Sequence, residues 1–182
     1  MILLQTKYIG LILGVLVFII LVSGCVSGNA TKVNVVNNTY SGNGVSFKIP
    51  SNWQVTKVVS ESNTNIDINK NNPKDGTSIT VAILPNPKGM SNQGLINMIQ
   101  NPINQDSTKE ILNNTTTVDG NIAYENTYLV NDSNRFNQTM KEQQINFIKN
   151  GNTYALIFDA PVQSFDQEKS NFNITLNSFK VV

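Results

Sequence analysis

Residues 145–158 read Ile145-Asn146-Phe147-Ile148-Lys149-Asn150-Gly151-Asn152-Thr153-Tyr154-Ala155-Leu156-Ile157-Phe158, and this stretch decides the fold. An Asn-Gly pair reaches positive φ at both central positions of a tight turn, so it predicts a β-hairpin centred on Asn150-Gly151. Ile145 and Phe147 alternate with polar neighbours, as a half-buried strand requires. The return run Tyr154–Phe158 is apolar at every position. Such a run predicts a central strand covered on both sides.

Working outward, the same period of two recurs. Val45, Phe47 and Ile49 share one face, with Ser46 and Lys48 on the other, and Pro50-Ser51-Asn52 turns the chain. Trp53 and Val55 begin the next strand. Ile66 and Ile68 alternate with Asn65, Asp67 and Asn69. Ile79, Val81 and Ile83 alternate with Ser78, Thr80 and Ala82. Ile122, Tyr124, Tyr128 and Val130 share a face, which is expected to be the core side. Asp75-Gly76 and Asp119-Gly120 predict two more hairpins.

Two segments favour helix. Ser91 can cap a short one carrying Leu95, Met98 and Ile99, ended by Asn101-Pro102. Phe165, Phe172, Leu176 and Phe179 form a helical stripe near the C-terminus, with Pro161 suited to its start. Asp166 and Glu168 lie near its first turn, where the helix dipole favours negative charge. The pattern Ser107-Thr108-Lys109-Glu110 could cap a helix, but only Ile111-Leu112 follow before a run of Asn and Thr, so one turn or the start of a strand is expected there instead. The fold class is therefore α+β, a central antiparallel β-sheet flanked by helices.

The N-terminus speaks to location. Lys7 precedes an apolar run from Ile9 to Val22, broken only by Gly10 and Gly14. Leu21-Val22-Ser23-Gly24-Cys25 then resembles a lipobox, the small-residue cleavage site before a lipid-bearing cysteine. Residues 1–24 read as a cleavable signal peptide and Cys25 as the lipid attachment site. The alternative is an uncleaved signal anchor, since a span needs roughly 20 apolar residues. A single acyl chain holds only marginally, so stable anchoring implies two. Residues 25–38 read as a polar, lipidated tether. Residues 39–182 are then one domain, expected at the outer face of the cytoplasmic membrane.

Composition narrows the function classes. Cys25 is the only cysteine among 182 residues, so no intramolecular disulfide can form, and there is no histidine. That removes the commonest general base and the commonest transition-metal ligand. The chain has 13 Lys and Arg against 12 Asp and Glu, and Lys7 falls in the signal peptide. A neutral domain offers no basic stripe for nucleic acid. Asp67-Ile68-Asn69-Lys70-Asn71 begins like a calcium loop, but Asn72 stands where Gly is needed and Ser78 where Glu is needed. No serine stands in a nucleophile motif. Gly42-Asn43-Gly44 is a turn and not a phosphate loop. Glu142 and Asp159 are candidate paired carboxylates, though nothing in their spacing joins them. Trp53 is expected in the core; its other reading is an aromatic anchor for a partner. Sequons at Asn29, Asn37, Asn113, Asn114, Asn131, Asn137 and Asn173 are about as many as chance gives in so Asn-rich a chain, and mark exposed loops.

Gly44-Val45-Ser46-Phe47-Lys48-Ile49-Pro50-Ser51-Asn52-Trp53, Val118-Asp119-Gly120 leading into Ala123-Tyr124-Glu125, the hairpin at Asn150-Gly151 and the Phe165–Phe179 helix occur in an order that resembles the PsbP-like fold family. The resemblance covers roughly residues 38–182 and is nearest to archaeal PsbP-related lipoproteins. It implies an α/β/α sandwich and a binding module without catalysis, docking to or assisting an envelope protein complex. A small-molecule or ion-binding lipoprotein is the alternative. No catalytic residue, metal site or cofactor is expected, and fold likeness assigns no functional residue.

Overall fold

The computed structural model describes residues 35–60, 62–71, 75–86, 89–100, 108–132 and 138–182, with backbone alone at 98–100, 108–113 and 131–132. The signal peptide, Cys25 and the tether as far as residue 34 lie outside the described residues. So do Asn29, Asn72, Asn101-Pro102, Ser107 and Asn137, and the side chains of Met98 and Ile99.

The predicted Asn150-Gly151 hairpin is present. It joins β9 (Gln138–Lys149) to β10 (Asn152–Pro161), with φ of 49° and 74° at the two turn residues. A side chain at Gly151 would be strained at that φ, whereas glycine adopts it freely. Asp119-Gly120 turns β7 (Thr108–Val118) into β8 (Asn121–Asp132) in the same way. Asn43-Gly44 likewise joins β2 (Thr39–Gly42) to β3 (Val45–Lys48). Around these turns, β4 (Trp53–Ser60), β5 (Thr64–Lys70) and β6 (Ser78–Pro85) complete a seven-stranded antiparallel sheet of order β4-β5-β6-β10-β9-β8-β7. β10 is its middle strand, as its doubly apolar run requires. The β5–β6 connection contains Asp75-Gly76, but it is a longer loop than a two-residue hairpin.

A second, small sheet was not anticipated. It has the order β1-β2-β3-β11, where β1 is Val35–Val36 and β11 is Lys180–Val181. β1 pairs with β2 around Asn37-Asn38, so the last residues of the expected tether already belong to the domain.

Two helices occur among the described residues. α1 (Asn92–Gln100) packs against β9, with Ser91 Oγ accepting from the Gly94 N–H at 3.1 Å and Leu95 fully buried. α2 (Phe165–Ser178) packs against β10 and β3. The flanking layers are thus thinner in helix than an α/β/α sandwich implies, and the small sheet shares the work. Pro161 ends β10 and does not open α2.

The core lies between the seven-stranded sheet, α2 and the small sheet. Phe158 lies 4.9 Å from Phe165 and 5.3 Å from Phe172, centroid to centroid, which fastens α2 to the middle strand. Phe179 stacks on Phe47 of the small sheet and meets Phe147 and Tyr154 of the large one edge-on, all at about 6 Å. Fully burying each such ring stabilises the fold by about 1.5–3 kcal/mol. The β8 expectation is reversed. Its register with β9 puts Ala123 on the core side and Tyr124 and Tyr128 on the opposite face, where Ile122 is 59 % exposed. Alternation showed which residues share a face, but only the pairing register shows which face is inside.

Phe158→Ala is expected to destabilise by about 3–5 kcal/mol, because a buried ring leaves a cavity. Ile122→Thr is expected to change stability by less than about 0.5 kcal/mol. Urea unfolding monitored at Trp53 measures both, and equal effects would contradict the assignment of faces.

Candidate functional site

Two places gather charge. The first is the β7–β8 turn. The Asp119 carboxylate accepts from Lys149 Nζ at 2.6 Å and from the Val181 N–H at 3.0 Å, and Lys180 Nζ lies 3.1 Å away. Burial alone would raise its pKa. The Lys149 hydrogen bond, the Val181 N–H and Lys180 outweigh that and hold it at about 2. The turn thereby ties the last strand, β11, to the large sheet. The role is structural; in the sequence Asp119 is legible only as part of a turn and of the Val118-Asp119-Gly120 stretch.

The second place is the face of the large sheet turned away from α2. Cross-strand pairing lines up Asn69, Ser78, Asp159, Glu142 and Tyr128 in one row. Lys57, Asp67, Thr80, Ile157, Gln144 and Asn126 form the next. α1 lies against β9. Asn126, Gln144 and Asn146 on this face are buried.

Glu142 and Asp159, far apart in sequence, are direct cross-strand partners here. Burial pushes the Glu142 carboxyl above the usual range, while hydrogen bonds to Gln144 and Asp159 pull it back in part. Two carboxyl groups bond one another only when one keeps its proton. Glycosidase carboxyls stand about 5 Å or more apart around a substrate. A directly bonded pair leaves no such room, so this arrangement holds a proton within the buried pair. Asp67 is also raised by burial, offset by a Thr80 hydroxyl at 3.3 Å and by Lys57. Asn65 Oδ1 and Asn146 Nδ2 are buried on the same face without hydrogen-bond partners among the described residues.

The other singled-out residues do not converge. Trp53 is buried, with Lys70 Nζ 6.0 Å from its ring centroid. Lys70 also pairs with Glu168 of α2 at 2.6 Å. The calcium-like run is strand β5. Ser46 Oγ meets Ser41 Oγ at 3.2 Å, while Lys48 is exposed. Among the sequons, Asn37 occupies an exposed turn. Asn113 and Asn114 lie in β7, Asn131 in β8 and Asn173 in α2, so these are not loop sites. No three potential acidic or cysteine ligands cluster among the described residues.

Asp119→Asn is expected to cost about 1–2 kcal/mol at neutral pH, allowing for solvent screening of the lysine heads. The folded pKa is depressed, so this stability is full above the ordinary value of 3.8 and is lost as pH falls through about 2. Glu142→Gln is expected to act at the other end. The folded pKa is raised, so the wild-type contribution is full below the ordinary value of 4.5 and is lost as pH rises through the folded value. Thermal unfolding across pH measures both. A Glu142→Gln profile that still falls from acid to neutral pH like the wild type would contradict the raised value.

Solved structures resemble the fold. A cyanobacterial PsbP (CyanoP) from Synechocystis sp. PCC 6803 superposes with a TM-score of 0.57 at 18 % identity, over 86 % of this chain and 99 % of that one. The Ran-binding protein Mog1p of Saccharomyces cerevisiae gives 0.49 at 12 % identity, over 86 % and 97 %. LpqN of Mycobacterium tuberculosis, involved in cell envelope biogenesis, gives 0.47 at 13 % identity, over 75 % and 82 %. No curated protein matches the sequence. Residues 23–181 match the family described as PsbP-like protein, and with a mostly antiparallel β fold of the same kind the chain belongs to that family.

Proposed function

We propose that this protein is a lipoprotein of the outer face of the cytoplasmic membrane whose PsbP-like domain is a non-catalytic binding module, docking to or assisting an envelope protein complex. The observation that carries the binding role is where the ionisable side chains go. Asp119, Lys149 and Lys180 join the two sheets, and Lys70 and Glu168 join β5 to α2. Glu142 and Asp159 are spent on each other. Interactions with a partner are then left to the surface of the domain. Family membership supports the same reading.

The location rests on Leu21–Cys25 and the apolar run before it. Lipid on Cys25 tethers the domain through a short polar segment, which leaves it free to meet a complex in the same membrane. Replacing Cys25→Ser tests the anchor. The wild-type chain is expected in the membrane fraction, with a mature N-terminus at a lipid-modified Cys25 by mass spectrometry, and the variant is expected to lose the modification. An unmodified Cys25 thiol, or an intact Met1 in the membrane-bound protein, would overturn the anchor. Cross-linking in intact membranes tests the module. Reproducible recovery of the same envelope protein is expected, and its repeated absence would count against docking.

A further inference from the structure

The two ends of the domain come together in the small sheet, β1, β2 and β3 from its beginning and β11 from its last residues. Charge is spread unevenly along the chain. No Asp or Glu lies from Cys25 to Ser60 or from Lys169 to Val182, where Lys32, Lys48, Lys57, Lys169 and Lys180 all fall. All 12 acidic residues lie between Glu61 and Glu168. The acid-free segments supply all four strands of the small sheet. Asp119 reaches β11 from the large sheet, but Lys149 and Lys180 share it. Val45 and Phe47 are buried in the core, so alternation turns their neighbours outward. Register then assembles the outer face. Val36, Thr39 and Lys48 form one row and Ser41, Ser46 and Lys180 the next. Val36, Ser41, Lys48 and Lys180 are exposed. Val182, also exposed, donates its N–H to the Gly44 carbonyl at 3.0 Å and stands at the rim.

We propose that this outer face of the small sheet is a membrane-docking surface, which lies on the anionic lipid headgroups of the bilayer that holds Cys25. The inference rests on the lipid anchor proposed above. Two observations select a lipid surface as the occupant. The first is where the chain enters. Residues 25–34 span at most about 33–36 Å, and they lead into β1, the edge strand of this same sheet. The domain is therefore tied to the bilayer through the sheet that carries the lysines. The second is charge. Lysines on a face without acids attract anionic headgroups, and each one near the surface strengthens association about fivefold. The exposed valines can enter the headgroup layer beside them. Two lysines are too few to hold a free domain, but tethering raises the effective concentration of the face at the membrane to about the millimolar range. Docking also sets orientation. Phe179 packs between Phe47 of the small sheet and Phe147 of the large one, so the two sheets lie back to back. The face of the large sheet that carries exposed Ile122 then points away from the bilayer.

Cys25 is the only cysteine, so once it carries lipid an introduced cysteine is the only free thiol. The protein purified from membranes is labelled with a fluorophore at Ser41→Cys on the outer face or at Ile122→Cys on the opposite side. It is then placed in vesicles whose headgroups carry a quencher. With mixed phosphatidylglycerol and phosphatidylcholine, the label at 41 is expected to be quenched at least about threefold more than the label at 122. Phosphatidylcholine alone, or high salt, is expected to bring the two values together, because screening removes the attraction of exposed charges. Lys48→Glu is expected to lower the docked population at least about fivefold without changing thermal unfolding. Equal quenching at 41 and 122 in anionic vesicles, with lipid present on Cys25 by mass spectrometry, would overturn docking and leave the anchor standing. A preference for 41 that survives neutral lipid, high salt or Lys48→Glu would overturn the role of the headgroups. Protein recovered without lipid on Cys25 would overturn the anchor and this proposal with it.

Discussion

The junction of Asp119 with the last residues of the chain holds the two sheets in one body. Phe179 follows α2 as its cap and fills the space between Phe47 on the small sheet and Phe147 and Tyr154 on the large one. The next two residues, Lys180 and Val181, reach the Asp119 carboxylate while pairing with Ser46 and Val45 of β3. Hydrophobic burial supplies most of the free energy of that junction but is not directional. The carboxylate supplies direction. Its donors are Lys149 at the end of β9 and Lys180 and Val181 of the C-terminal strand, and they fix where β11 lies. Thr175 and Ser178 complete the joint from the helix side, with bonds of 3.0 and 2.8 Å to the backbone of Lys48.

The large sheet pays unequally for its two faces. Toward α2 it is filled by aromatic and branched side chains. Away from α2 it carries amides, carboxyls and tyrosines, several of them buried. A polar row under cover keeps stability only where its members bond one another, because an unpaired buried polar group costs about 1–3 kcal/mol. Glu142, Asp159 and Gln144 meet that demand at one end by sharing a proton and an amide. Asp119 works in the opposite sense, since its pairing strengthens the charged form. The two groups therefore bracket the pH range of greatest stability from opposite sides.

Much of this was legible in the chain. Asn150-Gly151, Asp119-Gly120 and the alternation at Ile79, Val81 and Ile83 named hairpins and strands because turn geometry and period two are local properties. The doubly apolar Tyr154–Phe158 run marked the middle strand for the same reason. The small sheet escaped because β1 and β11 are too short to show a period. The inner face of β8 escaped because Ile122, Tyr124 and Val130 are more apolar than Glu125 and Thr127, yet β9 dictates the register. Glu142 and Asp159 are 17 positions apart, and their meeting follows from the position of the Asn150-Gly151 turn between them. Counting outward from that turn pairs residue 142 with residue 159, so the signal was present but needed the turn type to be trusted as a register.

The residues that carry the family resemblance turn out to be architectural. Gly44 sits in the β2–β3 turn, Trp53 is buried at the start of β4, and Asp119 holds the C-terminal strand. Asn150 and Gly151 close the central hairpin. A motif set of this kind specifies a scaffold and is silent about its cargo, as expected where function is grafted onto a fold. What distinguishes one member from another must then lie where the scaffold leaves freedom. In this chain one such place is the partly exposed end of the large sheet's polar face, where Asn69 and Ser78 present hydrogen-bonding groups outside the apolar core, so substitutions there can alter recognition while leaving the fold standing.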